Sequence, residues 1–310
     1  MYDRRGINRW VTTGDGLSLA VRESGDPDRP TVVCVHGYPD NSSIWEDVAG
    51  HLSERFHVVR YDVRGAGESA KPRGLRAYQL DRLAADLGAV IDAVSPRYPV
   101  HLLAHDWGSI QSWHAVTGGL SARIASYTSI SGPCLDHAAH WMRSRLRPHP
   151  RALRELLSQL VRSGYIGFFH LAPLPELLWR TGFGRRMLDR LEHLGLAGDE
   201  KPVRPHRRLP DLLHGLKLYR ANMRGRFTAP QHRSTSVPVQ VLAPTGDVFV
   251  SVPLQTGISC WVDELRVRTV AGGHWIPRGR PGVVADYTAR HIDRVGDGQR
   301  HLGDSPRQES

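Results

Sequence analysis

Four short stretches of this chain combine residues able to do covalent chemistry with the small residues that let them project. They are His36-Gly37-Tyr38-Pro39, Ala104-His105-Asp106-Trp107-Gly108, Gly246-Asp247 and Gly272-Gly273-His274-Trp275. Each follows a short apolar run that reads as a strand. In Ala104-x-Asp106-x-Gly108 an acid sits between two small residues. A strand turning sharply into a helix strains its middle residue and tolerates only small neighbours two positions either side. An aspartate there can attack an electrophilic carbon without a base, because its ordinary pKa of about 3.9 leaves it ionised at neutral pH. Asp also caps helices well, so Asp106 alone admits a plain capping role. Likewise Asp247 alone reads as a turn residue, and His274 is one of 17 histidines. Together, in the order Asp106, Asp247, His274, they read as nucleophile, orienting acid and base. The turn at His36-Gly37-Tyr38-Pro39 can aim the Tyr38 N–H at the same place. With the Trp107 N–H it would form an oxyanion hole.

The elements that must hold these residues alternate along the chain. Trp10 to Thr13 and Leu17 to Glu23 flank an Asp15-Gly16 turn and predict a hairpin. Strands are expected at Thr31 to His36, His57 to Val63, Val100 to His105 and Ile124 to Ser131. Helices are expected between them over Asn41 to Phe56, Tyr78 to Val94 and Gly108 to Val116. From about Pro133 to Val237 no clear strand pattern appears. Helical segments such as Ala152 to Arg162 and Leu212 to Asn222 are joined by prolines 148, 150, 173, 175, 202, 205 and 210. Strand pattern returns at Val239 to Ala243 and Leu265 to Val270, and a last helix is expected over Pro281 to Arg294. The polar tail, 296–310, is expected to be disordered. Such alternation implies a mostly parallel sheet flanked by helices, with its site past the C-terminal strand ends.

Composition narrows the class. The chain has 310 residues, 40% of them hydrophobic, enough for a large core. Its three cysteines, Cys34, Cys134 and Cys260, lack metal-ligand spacing and read as reduced thiols. The charged start at Met1 to Arg9 is no secretory signal, and no apolar run reaches the roughly 20 residues that span a bilayer. A soluble cytoplasmic protein is the expectation. The formal charge is +10, from 41 Lys and Arg against 31 Asp and Glu. Without a nucleic-acid-binding motif this reads as a solvated basic surface, a weak attraction to anionic lipid remaining testable. No nucleic-acid partner, metal or organic cofactor is expected. A homodimer is compatible with the sequence.

With these motifs the chain resembles the epoxide hydrolase branch of the α/β-hydrolase superfamily, over about residues 8 to 295. The matching residues are His36-Gly37-Tyr38-Pro39, Tyr61-Asp62-x-Arg64-Gly65-x-Gly67-x-Ser69, His105-Asp106-Trp107-Gly108 and Gly273-His274-Trp275. The likeness extends to the hydrolase half of bacterial proteins fused to a short-chain dehydrogenase; with the chain ending at Ser310, no dehydrogenase half is expected. The resemblance implies an α/β-hydrolase fold of residues 1–132 and 237–295, with a helical cap, 133–236, inserted after the sixth strand. It also implies two cap tyrosines. Tyr165-Ile166-Gly167-Phe168-Phe169 looks like the segment holding the first, and Leu218-Tyr219-Arg220 like the helix holding the second. Ala104 stands where Gly is commoner, and Ser109 where Gly or Ala is usual. Asp136 is a rival to Asp247 for the acid role.

This set suits epoxide opening. Asp106 would attack an oxirane carbon while Tyr165 and Tyr219, protonated at neutral pH, grip the leaving oxygen. His274, oriented by Asp247, would then activate water against the resulting ester. The product is a vicinal diol, and the Phe- and Leu-rich stretch Tyr165 to Trp179 points to a lipophilic epoxide. A haloalkane dehalogenase would share Asp106, but it needs halide donors where Tyr38 stands. A fluoroacetate-type dehalogenase would need arginines beside Asp106. A hydrolase-fold binding protein would be expected to lack at least one essential group.

Overall fold

The computed structural model describes residues 8–194 and 206–303. Its eight strands form one sheet in the order β1-β2-β4-β3-β5-β6-β7-β8. β1 (Arg9–Thr12) and β2 (Ser18–Ser24) make the expected antiparallel hairpin, with Trp10 opposite Ala20. β2 also runs antiparallel to β4 (His57–Tyr61). From there β3 (Thr31–Val35), β5 (Val100–His105), β6 (Ile124–Ile130), β7 (Val239–Pro244) and β8 (Leu265–Val270) are all parallel.

Side chains alternate across the sheet, so consecutive residues feed opposite cores. Val32, Cys34, Val58, Leu103 and Leu242 enter one apolar cluster. Val33, Val35, Val59, Leu102 and Val241 enter the other. Both clusters are covered, which is why all five residues of β3 are buried. The covering helices include α1 (Glu46–Leu52), α2 (Leu80–Val94) and α3 (Trp107–Val116). Asn41 caps the turn before α1 by accepting from the Ser43 N–H at 3.1 Å. That entry is a 3-10 turn, Ser42–Trp45, so the single helix expected over 41–56 is two short pieces.

Six helices stand between β6 and β7: α4 (Leu135–Arg145), α5 (Pro150–Arg162), α6 (Gly164–Phe169), α7 (Leu174–Arg180), α8 (Phe183–Leu194) and α9 (Leu209–Thr228). Several prolines read as joints lie instead in first helical turns, as Pro150, Pro175 and Pro210 do. Proline suits that position because its missing N–H would have no partner there. Pro202 and Pro205 fall outside the described residues. This insertion shares the first apolar cluster through Phe169, Trp179, Leu188, Leu212, Leu216 and Tyr219.

After β8 come α11 (Ile276–Gly279) and α12 (Pro281–Gly303), while α10 (Val252–Thr256) follows β7. α12 corrects the expected tail: helix continues beyond Arg294 to Gly303. Extending an established helix fixes one residue per added hydrogen bond, so polar residues and even Gly296 can be carried along. The remainder of that tail, 304–310, lies outside the described residues. Among the described residues no helix is long and apolar enough to cross a membrane.

Candidate active site

β5 ends at His105, α3 begins at Trp107, and Asp106 is the turn between them. Its φ of 52° and ψ of −125° are strained for a residue with a side chain. It makes no side-chain cap bond to α3, so the capping role is excluded. Gly108 explains the need for a small residue: a Cβ there would lie 2.1 Å from the Val35 carbonyl oxygen. Ser109 is occupied structurally, its hydroxyl lying 2.6 Å from the Tyr127 hydroxyl and 2.7 Å from the Ser129 hydroxyl.

The Tyr38 N–H donates to Asp106 Oδ1 at 2.7 Å, which places the predicted turn beside the carboxylate. The Tyr38-Pro39 bond is cis. The turn is anchored by buried His36, whose Nε2 accepts from the Val63 N–H at 3.0 Å. Its Nδ1 then carries the proton and donates to the Gly37 carbonyl at 3.0 Å. Burial lowers the His36 pKa, which keeps that neutral tautomer in place. Trp107 N begins α3, where helix N–H groups lack intrahelical partners, and it closes on the same turn at Gly37.

On the other side of Asp106, His274 Nε2 lies 3.6 Å from Oδ2. His274 Nδ1 lies 3.0 Å from Asp247 Oδ2. Asp247 Oδ1 in turn accepts the Phe249 and Val250 N–H groups at 2.8 and 3.0 Å. All three side chains are buried. Burial alone would lower the His274 pKa, but the charge of Asp247 and the bond to Asp106 outweigh it and raise it to about 10. The resting imidazole is therefore protonated, between two carboxylates. The rival acid is elsewhere: Asp136 pairs with Arg233 at 2.9 Å and accepts the Gln231 N–H at 2.9 Å.

The two tyrosines of the insertion come together above this group. Tyr165 on α6 and Tyr219 on α9 have ring centroids 5.9 Å apart. Tyr219 also stands edge-on to Trp107 at 4.9 Å and to Tyr38 at 5.6 Å. Burial and then neighbouring negative charge, Asp106 included, raise both phenol pKa values well above the usual 10. Both therefore keep their protons at neutral pH. Gly215 lets α9 approach this closely, since a Cβ there would lie 2.0 Å from the Tyr38 ring.

Several contributors were not singled out from the sequence. Phe249 packs edge-on against both Tyr165 (5.3 Å) and His274 (4.9 Å). These two rings separate the catalytic group from an open groove of about 1210 Å³, which they also help to line. His105 Nε2 donates to the His274 carbonyl at 2.8 Å; burial, then the His274 charge, lowers its pKa to about 4 and keeps it neutral. Asp40, next to Pro39, is buried and accepts from Arg207 Nε (2.9 Å), Arg278 Nη2 (2.7 Å) and Trp275 Nε1 (2.8 Å). Glu192 of α8 pairs with the same Arg207 at 2.9 Å and with Arg278. Despite burial, which works the other way, the two guanidinium groups hold the Asp40 carboxyl far below its ordinary range. The network ties the insertion to the turn after Tyr38 and to the residues following His274. The only local cue was the Pro39-Asp40 pair.

A sheet with this order and a strained acid at the strand-to-helix turn define a member of the α/β-hydrolase superfamily. A sequence profile of the alpha/beta hydrolase fold matches residues 30–160. Within that superfamily the chain resembles the epoxide hydrolase branch. It is 36% identical over 289 residues to the probable oxidoreductase EphD of Mycobacterium tuberculosis, covering 90% of this chain and 48% of that protein. It is 36% identical over 253 residues to epoxide hydrolase A of the same organism, covering 81% of this chain and 64% of that protein. The chain thus spans about half the length of the first of these relatives. The crystal structure of an epoxide hydrolase from Bacillus megaterium superposes with a TM-score of 0.75 at 21% identity, covering 92% of this chain and all of that one. That likeness supports the fold.

Proposed function

We propose that this chain hydrolyses an epoxide to a vicinal diol through an alkyl ester on Asp106, with residues 133–236 acting as a cap over the remaining domain. The observation that carries the reading is the pairing of two protonated phenols, Tyr165 and Tyr219, with a carboxylate whose other flank meets His274 and Asp247. Epoxide opening asks for both at once: a nucleophile for carbon and a proton donor for the poor alkoxide leaving group.

Oδ1 of Asp106 is held by the Tyr38 N–H, so Oδ2 is the atom that attacks. The C–O bond of the oxirane breaks and a tyrosine hydroxyl gives its proton to the departing oxygen. The tyrosinate, a strong base in this buried setting, recovers a proton from the His274 imidazolium. Esterification has removed one of the two negative charges that hold that proton, so His274 gives it up more readily. Neutral His274 then draws a proton from water, which attacks the Asp106 carbonyl carbon. The oxyanion forms on Oδ1, where the Tyr38 and Trp107 N–H groups stabilise it, each such donor being worth roughly 3 kcal/mol in comparable sites. Collapse releases the diol and restores the Asp106 carboxylate and the His274 imidazolium. Protons balance over the cycle, and water is the only co-reactant.

A single turnover of excess enzyme with styrene oxide in heavy-oxygen water tests this. The peptide carrying Asp106 should gain label in its carboxylate. Label confined to the diol, with none in the protein, would exclude the ester. A parallel series of chloroalkanes and bromoalkanes should release no halide.

A further inference from the structure

The helical insertion has an unusual outer surface. Of the fourteen large hydrophobic residues exposed among the described residues, ten lie between Leu146 and Met187. They are not scattered. On α5, Leu153, Leu157 and Val161 recur every four residues and line the open groove. On α8, Phe183 and Met187 continue at the same spacing into Leu191, which lines the same groove. Two amphipathic helices therefore present apolar faces that meet at the groove mouth. Leu157 is 60% exposed, Val161 82% and Phe183 57%. A soluble surface seldom leaves such a continuous patch uncovered.

The charge around this patch has one sign. Residues 143–194 contain ten arginines against four carboxylates. The carboxylates face arginines of the protein itself: Glu155 meets Arg145 and Arg151, Glu176 meets Arg220, and Glu192 meets Arg207 and Arg278. Arg147, Arg154, Arg180, Arg185, Arg186 and Arg190 are exposed on the same helices or the turns beside them. An apolar face bordered by arginines complements one kind of surface in particular, a bilayer carrying anionic phospholipid. Its hydrocarbon accepts leucine and phenylalanine while its phosphates accept guanidinium groups.

The geometry points to α5 and α8 as a docking face for an anionic bilayer, seated with the groove mouth against the lipid. Tyr165 and Phe249 line that groove, so a lipophilic molecule leaving the bilayer would reach the buried carboxylate without crossing water.

Vesicle sedimentation tests this independently of any reaction. The full chain should pellet with vesicles of phosphatidylglycerol and phosphatidylcholine in equal amounts. It should stay in solution with phosphatidylcholine alone. Raising salt from about 0.1 to about 0.5 M should weaken binding at least tenfold. Arg185→Glu with Arg186→Glu should weaken it about tenfold or more, and so should Leu157→Glu with Val161→Glu. Circular dichroism and the thermal midpoint of each variant establish that it is folded; should the leucine–valine pair fail to fold, Phe183→Glu with Met187→Glu replaces it. Equal pelleting with both vesicles, or unchanged binding in folded variants, would overturn the proposal. So would light scattering that finds a dimer which those variants convert to monomer, because the face would then be covered by a second copy. Loss of epoxide turnover without loss of vesicle binding would count against the proposed reaction and leave the docking face standing.

Discussion

Replacing His274 by glutamine separates the two halves of the proposed cycle. Glutamine keeps a polar group near Asp247 and Asp106 but cannot take a proton from water. In the structure His274 Nε2 stands 3.6 Å from Asp106 Oδ2, beyond direct hydrogen-bond distance, and Tyr38 binds the opposite oxygen. Attack on the epoxide needs Asp106 and the tyrosines, so it should slow by no more than about tenfold, the loss of one neighbouring charge interaction worth about 1.4 kcal/mol. Hydrolysis of the ester loses its general base and should slow by about a hundred- to ten-thousand-fold. The two effects differ by at least tenfold, so ester should accumulate toward one equivalent per site. Acid quenching after mixing with styrene oxide, followed by mass analysis of the intact chain, measures it directly. The expected mass increase is one substrate, located on the peptide holding Asp106. Steady turnover at the wild-type rate, or loss of turnover with no adduct while the variant remains folded, would refute the division of labour.

Other outcomes follow from the same geometry. Tyr165→Phe and Tyr219→Phe should each slow ester formation by up to about a hundredfold, and the double variant further, as read by single-turnover quench. Because the His274 pKa is raised from its ordinary 6.5 to about 10, its ion pairing stabilises the fold fully below pH 6.5 and progressively less up to pH 10. Urea unfolding should therefore lose up to about 1.4 kcal/mol per pH unit over that window, and His274→Gln should flatten the slope. Asp40→Ala leaves two buried guanidinium groups facing only Glu192, and should cost about 3–5 kcal/mol in the same assay. Gly215→Ala forces Tyr38 and α9 apart and should cost about 1–3 kcal/mol; stopped-flow alkylation should slow with it, since Tyr219 rides on the same helix.

The strand ends were readable because their signals are local. β5 and β8 match their expected spans to the residue, since apolar runs closed by glycine or a sharp turn leave little freedom. Asp106, Tyr38, His274 and Asp247 could be assigned from residues within two or three positions of each. Choosing Asp247 over Asp136 required the fold, because both are buried acids after a strand and only contacts with distant partners part them. The Asp40 network was not legible at all: Asp40 lies 167 residues from Arg207 and 238 from Arg278, distances at which no sequence periodicity operates. The helices of the insertion were half legible. Their apolar faces show in α5, but prolines inside first turns look like breaks until the chain is seen to continue through them.

Tyr38 serves two masters. Its amide fixes the reactive carboxylate, while its ring fills the space opposite Gly215 and its hydroxyl donates to the Leu212 carbonyl at 3.1 Å. Grafting the insertion of another such enzyme onto this sheet would therefore disturb the reaction centre itself, however well the junctions at either end were matched. Chimeras that seek new substrates should carry residues 37 to 40 along with the transplanted helices, as one inherited unit.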